Sequence, residues 1–219
     1  MDRFGLIGFP ISHSLSPMFF RQAYGDRFAY DLLEHRDFEG AWKEFTEGPY
    51  RAVNVTAPFK TEAAARADIV SPEVERTSAA NILLKTEDGI AAYNSDYLGL
   101  RRLLGNGEGF SAAVIGTGGA GRAAIAAAED NGFMVSSFHH DEIENGVRAD
   151  VIIYTLPKAV PGLEALESGV LVEANYKDPC LTAHPGYISG RQWLVAQAEA
   201  GFALMTGEKP KKISILQSI

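Results

Sequence analysis

The chain has 219 residues, 46% of them hydrophobic, enough to bury a real core in one large or two small domains. Its formal charge of −8, from 20 Lys and Arg against 28 Asp and Glu, excludes a nucleic-acid or anionic-membrane surface as the main business of the protein. A single cysteine, Cys180, excludes a disulfide framework and a thiolate metal cluster, and the five histidines show no ligand spacing.

Met1-Asp-Arg-Phe leads straight into a strand over 4–9, not into a signal peptide. No apolar run approaches the roughly 18–20 residues that cross a bilayer, so a cytoplasmic protein without a membrane span is expected. Ser16-Pro17 opens a helix, with Ser16 as N-cap. A second strand runs over 28–33, and Asp37 caps a helix that buries Phe38, Trp42 and Phe45. A third strand, over 52–56, gives way at Pro58 to a helix through Lys60 to Arg66, with Pro58 in its first turn. Alternating strand and helix predicts a mainly parallel sheet covered on both faces. Segments 81–85 and 90–94 form a hairpin at the edge of that sheet, and a helix with Leu98, Leu100, Leu103 and Leu104 comes next.

Gly105-Asn-Gly-Glu-Gly109 reads as the domain boundary. Beyond it a buried strand over 112–115 runs into Gly116-Thr-Gly-Gly-Ala-Gly121 and an alanine-rich helix to about residue 131. Further strands are expected over 133–138, 151–154 and 170–173, then an amphipathic helix over 191–205. The Lys-rich tail after Gly207 is either a short helix or disordered.

Two stretches carry chemistry. Asn54-Val-Thr-Ala-Pro-Phe-Lys60 places Asn54, Thr56 and Lys60 where a buried strand ends, at the rim where open α/β sheets bind ligands. Ser14, Ser16, Asn81 and Asp96 also fall at element ends. Each has an ordinary reading too: the serines and Asp96 can cap helices, and Asn81 can bond a strand edge. In the glycine loop, Gly116, Gly118 and Gly121 meet the G-x-G-x-x-G pattern between a strand and a helix. That context suits a dinucleotide pyrophosphate at a helix N-terminus, with Gly119 and Ala120 supplying backbone N–H groups. The acid expected roughly 20 residues on finds Asp141 or Glu142, and Arg122 or Arg148 could meet a 2′-phosphate. Only about ten residues separate the strand at Phe138 from the one at Val151, so this domain is abbreviated.

These residues resemble the shikimate dehydrogenase family, which includes quinate/shikimate dehydrogenases. Pro10-Ile-Ser-His-Ser-Leu-Ser-Pro17 is similar to its S-x-S substrate motif, and Asn54-Val-Thr-Ala-Pro-Phe-Lys60 to its catalytic-lysine motif. Ala79-Ala-Asn81, Asn94-Ser-Asp96, the loop 116–121, Tyr176-Lys-Asp-Pro179 and Leu194-Val-Ala-Gln-Ala198 come after them in the family's order.

The resemblance implies an α/β fold with an N-terminal substrate domain, 1–97 completed by 192–219, and a truncated Rossmann-like NAD(P)-binding domain over 98–191. It implies reversible NADP(H)-dependent reduction of 3-dehydroshikimate to shikimate in aromatic amino-acid biosynthesis, by a monomer or homodimer. Lys60 and Asp96 would be catalytic. Ser14, Ser16, Asn54, Thr56, Asn81, Tyr176 and Gln197 would bind substrate, and Gly116, Gly118, Gly119, Ala120 and Gly121 would bind the cofactor, with no metal.

The chain departs from the family in its second half. His139-His-Asp141 stands where the family carries an arginine for the NADP phosphate, so NAD becomes the alternative cofactor. A non-catalytic shikimate-binding or regulatory protein is the alternative function.

Overall fold

Strand and helix alternate from the first residues. In the computed structural model, which describes residues 2–214, the chain folds as two units, Met1–Ser95 with Ala198–Ile219 and Asp96–Gln197.

The first unit is built on a six-stranded sheet. Its elements are β1 (Arg3–Gly8), α1 (Ser16–Tyr24), β2 (Ala29–Glu34), α2 (Phe38–Glu47), β3 (Tyr50–Val55), α3 (Lys60–Arg66), β4 (Ile69–Val70), α4 (Pro72–Thr77), β5 (Ile82–Thr86) and β6 (Gly89–Tyr93). The sheet order is β2-β1-β3-β5-β6-β4, with β1 parallel to both β2 and β3. The chain leaves β1 for one neighbour and returns on its other side, so the loops after β1 and β3 open at one rim beside a reversal of strand order.

Both faces are covered, as alternation along each strand requires. Ile7, Leu33, Val53 and Val55 face Phe38 and Phe45 from α2, Phe59 at the N-cap of α3 and Ala63 within it. On the other face Phe20 packs on Phe4, Tyr30 and Phe202 with ring centroids 5.4, 4.6 and 5.0 Å apart.

Four expectations change here. The hairpin β5–β6 is not at the edge, because the two-residue β4 pairs beyond it in parallel. Ser16 is not an N-cap: it is the first helical residue, Leu15 holds the cap position, and no side chain caps α1. Pro58 lies before α3, in a turn closed by the Phe59 N–H on Thr56 O at 3.0 Å. The described part of the tail forms no helix. It runs along α1, where Lys211 N–H donates to Ala23 O, Ser214 N–H to Gln22 Oε1, and Ile213 is buried.

The second unit starts with α5 (Ser95–Leu104), β7 (Ser111–Ile115), α6 (Gly119–Asp130), β8 (Met134–Phe138), β9 (Val147–Arg148) and β10 (Val151–Tyr154). A 3-10 turn (Leu163–Ala165), β11 (Leu166–Glu167), β12 (Val170–Glu173), β13 (Tyr187–Ile188) and α7 (Gly190–Thr206) complete it, α7 ending in the first unit. Five strands form an all-parallel sheet in the order β13-β12-β10-β7-β8. The reversal of strand order falls between β7 and β10, the Rossmann-like position for a ligand.

One face is covered by helices: Leu100, Ala123, Ala127 and Trp193 pack on Ala112, Val114, Ile153 and Val172. The other is covered by irregular chain and the short β9, with Ile143 and Val147 packed on Ala113, Ile115, Ile152 and Leu171. The short β8–β10 connection thus covers this face without a helix, helped by Val160, Leu163 and Leu166 of the next connection. The glycine-rich stretch at 105–109 lies inside this unit. Asn131 donates to Arg101 O and Gly105 O, both at 2.7 Å, and accepts the Gly107 N–H.

Candidate active site

In the first unit the rim residues are joined by hydrogen bonds. Glu34, at the end of β2, accepts the N–H groups of Ile11 and Ser12 at 2.7 and 3.0 Å and so pins the loop after β1. That loop delivers Ser14, whose Oγ accepts the Ser16 N–H at 3.2 Å and keeps its own proton for donation. The Ser16 hydroxyl bonds Tyr30, whose phenol donates to Asn54 Oδ1 at 2.7 Å. Burial pushes the Tyr30 phenol far above its usual range, and the Ser16 contact pulls it back only in part. Asn54 Nδ2 then reaches Asn81 O at 3.4 Å, and Asn81 Oδ1 accepts the Ser95 N–H at 2.7 Å.

Asn81 is only 4% exposed, so its amide belongs to the interior rather than to a strand edge. Asn94 holds the segment before it, donating to Ala79 O at 3.0 Å. Ala80 N–H donates to Lys60 O at 2.9 Å, which ties this segment to the first residue of α3. Ser14, Ser16, Asn54, Thr56, Lys60 and Asn81 therefore stand at one rim of one unit. Tyr30 and Glu34 complete the network, and neither is singled out by the sequence. Tyr30 reads there as an ordinary aromatic of a half-buried strand, and its partners are set by strand order.

Asp96, Tyr176, Gln197 and the glycine loop belong to the second unit. Asp96 lies in the first turn of α5, covalently next to the Ser95 that Asn81 holds, and its carbonyl accepts from Trp193 Nε1 at 2.9 Å. A Cβ on Gly99 would meet the backbone of Gln197 at 2.5 to 2.8 Å, so glycine there lets α5 and α7 approach where Gln197 sits. Tyr176 comes after β12 and is half-buried, which raises its phenol pKa.

The glycine loop fits a pyrophosphate. Gly116 has φ +97°, a conformation that favours glycine, and a Cβ on Gly121 would collide with Gly116 O. Around Gly118 and Gly119 the opposite holds: an added Cβ would meet nothing within 4 Å. Gly118 caps α6 with no side-chain cap hydrogen bond, and the first N–H groups of a helix are suited to an anion. Thr155, at the end of β10, donates to Ile115 O at 2.9 Å and clips the two strand ends together at the switch point.

The adenosine side is less well equipped. Glu142 Oε2 accepts the His139 N–H at 2.6 Å and braces its own loop, while His139 Nδ1 lies 3.4 Å from Thr117 Oγ1. Arg148 cannot rescue a 2′-phosphate. It sits on β9 with its Nε 3.7 Å from Glu167, and shares a polar cleft with Ser111, Asp150 and Gly169. Those residues stand at or just before the first residues of β7, β10 and β12, at the opposite end of the sheet from the glycine loop. Arg122, on α6 four residues after Gly118, remains on the correct end.

No group of His, Cys, Asp and Glu suited to a metal ion occurs among the described residues, and no described helix is long and apolar enough to cross a membrane.

Comparison with known proteins gives a consistent result. The family described as the shikimate dehydrogenase substrate binding domain matches residues 6–83. The NADP(+) shikimate dehydrogenase of Chromohalobacter salexigens is 36% identical over 134 residues, covering 57% of this chain and 49% of that protein. The chain thus matches about half the length of that curated relative. For the Clostridium beijerinckii shikimate dehydrogenase, identity is 33% over 184 residues, 72% of this chain and 68% of the relative. The crystal structure of the Thermus thermophilus shikimate 5-dehydrogenase with NADP(H) and shikimate superposes with a TM-score of 0.83 at 27% identity, covering 97% of this chain and 96% of that one.

Proposed function

The chain belongs to the shikimate dehydrogenase family, and from that premise we propose that it catalyses the reversible reduction of 3-dehydroshikimate to shikimate with NADP(H). The observation that carries this reading is the rim of the first unit. It presents a hydroxyl pair and two amides on one hydrogen-bonded support, with the backbone of Lys60 tied to the neighbouring Ala80. A bound nicotinamide cofactor supplies or accepts the hydride.

In this reading Ser14 and Ser16 hold the substrate carboxylate, with the Ser16 oxygen oriented by Tyr30. Thr56, Asn81 and Gln197 satisfy ring hydroxyls, and the pocket selects its substrate because an unmatched buried amide is costly. Lys60 donates its Nζ proton to the oxygen of the reacting carbonyl as that oxygen gains charge, and takes it back in reverse. Asp96 serves as the second catalytic group and accepts from one ring hydroxyl. Gly116, Gly118, Gly119, Ala120 and Gly121 hold the pyrophosphate. Tyr176 binds substrate, and the second unit serves as the cofactor domain while the first serves as the substrate domain.

The test is absorbance at 340 nm with shikimate and NADP, then NAD. Turnover with shikimate is expected, with a NADP preference below about a hundredfold, because the loop after β8 offers histidines rather than an arginine fork. No turnover with either cofactor, together with shikimate-induced thermal stabilisation, would favour a binding protein instead.

A further inference from the structure

Glu173, the last residue of β12, is 0% exposed. Its Oε1 accepts the Cys180 N–H at 2.8 Å and the Cys180 thiol at 3.2 Å. Its Oε2 accepts the Leu181 N–H at 3.3 Å and the Tyr187 phenol at 3.0 Å. All four donors lie on the segment that leaves the sheet after β12 and returns as β13. Between those ends the chain forms neither helix nor strand.

We propose that Glu173 is a positioning residue: a buried clasp that holds this excursion in one conformation and thereby sets the place of Tyr176. The inference rests on the reading that Tyr176 belongs to the active site. Tyr176 lies between two anchors. On one side Asn175 donates to Pro157 O at 3.0 Å and Asp178 O at 2.6 Å, and accepts the N–H groups of Lys177 and Asp178. On the other side Glu173 gathers Cys180, Leu181 and Tyr187.

A carboxylate suits this place because every group aimed at it is a donor. Glutamine would turn an NH2 against an N–H or a hydroxyl, and an apolar residue would leave Cys180 N–H and Leu181 N–H without their acceptor. Burial, with the Glu173 charge beside it, pushes the Cys180 thiol up to about 11. Burial and the same carboxylate raise the Tyr187 phenol as well. Both groups therefore keep the protons they donate. Although Cys180 is exposed, its thiol is a poor nucleophile near neutral pH, because the thiolate is the reactive form. The closed clasp can thus be read from the reactivity of one sulfur.

The experiment combines a double-mutant cycle with that readout. Tyr176→Phe is expected to raise the KM for shikimate about tenfold. Glu173→Gln should raise it by a similar factor and leave kcat less affected, and the double variant should be no worse than Tyr176→Phe alone. In Glu173→Gln, iodoacetamide at pH 8 should alkylate Cys180 at least about tenfold faster than in the wild type.

Additive effects in the cycle, or an unchanged alkylation rate, would overturn the clasp while leaving the active-site reading intact. Wild-type kinetics in Tyr176→Phe would overturn the site role of Tyr176 and this inference with it. If the Gln variant does not fold, Glu173→Asp carries the same comparison. It keeps the charge and shortens the reach by one methylene, so a smaller shift of the same sign is expected in both readouts. Wild-type KM and alkylation rate in Glu173→Asp would overturn the clasp.

Discussion

The two units meet the same requirement, a ligand site at a reversal of strand order, with different completeness. In the first unit each rim residue is supported by another: Glu34 pins the loop of Ser14, Tyr30 joins Ser16 to Asn54, and Asn81 joins Asn54 to Ser95. In the second unit the glycine loop is equally well formed, but one sheet face is closed by irregular chain and the two-residue β9, with Ile143 and Val147 packed on it, rather than by a helix. The hydrogen-bonded rim of the first unit tolerates little trimming, because each buried amide needs its partner. In the proposed reading, what a dinucleotide needs from the second unit is backbone N–H groups at the switch point, and a crossover helix is not among those needs.

The largest expected effect tests where the chemistry lies. Lys60→Ala should lower kcat by about 10²- to 10⁴-fold with KM within a few-fold. Near wild-type kcat in steady-state assays would remove Lys60 from the mechanism and erase the contrast between the units.

Next in size is Gly121→Ala, whose new Cβ would meet the carbonyl of Gly116. Dinucleotide affinity by calorimetry should fall at least about tenfold, since helix and loop must separate by a fraction of an ångström or more. Shikimate binding should persist if the first unit works as a site in its own right. Loss of both would show that the units are not separable in function.

Tyr30→Phe removes one hydroxyl from the middle of the first unit's network. A stability loss of about 1 kcal/mol by denaturant melts and a several-fold rise in shikimate KM are expected. A change in KM no larger than that of a random surface variant would mean that Ser16 and Asn54 are held by packing alone.

The smallest effect is at the far end of the second unit. Asp150 accepts the N–H and hydroxyl of Ser111 at 2.8 and 2.7 Å, and these bonds hold its carboxyl below the usual range. A depressed carboxyl stabilises the folded state above its unfolded pKa, and that contribution is lost as pH falls through the folded value. Ser111→Ala also removes the oxygen that accepts the Asp150 N–H at 3.0 Å, so it should lower the melting temperature at pH 7 and by less once the pH falls below the folded value of Asp150. Shikimate turnover should be unchanged, because this end of the sheet is remote from the glycine loop.

Much of this is legible along the chain. Apolar runs place β1, β3, β7, β10 and β12, and the Pro and Gly punctuation places the loops that carry Ser14, Lys60 and Gly116. Elements of two residues, such as β4, β9 and β13, have no periodicity to read and exist only because a neighbouring strand offers unpaired groups. Ser16 departs from its expected cap position for a related reason. Ser-Pro signals a helix start, but whether the hydroxyl turns back to the helix depends on a better partner, and Tyr30 provides one.

The sequence by itself determined which residue types stand at the strand ends, because strand length, proline and glycine act over a few neighbours and need no knowledge of the rest of the fold. Tertiary structure alone decided which of them meet. Tyr30 and Asn54 are brought together because β2 and β3 flank β1 in register, with Phe4 opposite both Tyr30 and Ala52. Arg148 is kept from the glycine loop by the same kind of fact: parallel strands send their preceding and succeeding loops to opposite ends of the sheet. Distance along the chain carries neither piece of information, since strand order is settled by packing between segments tens of residues apart.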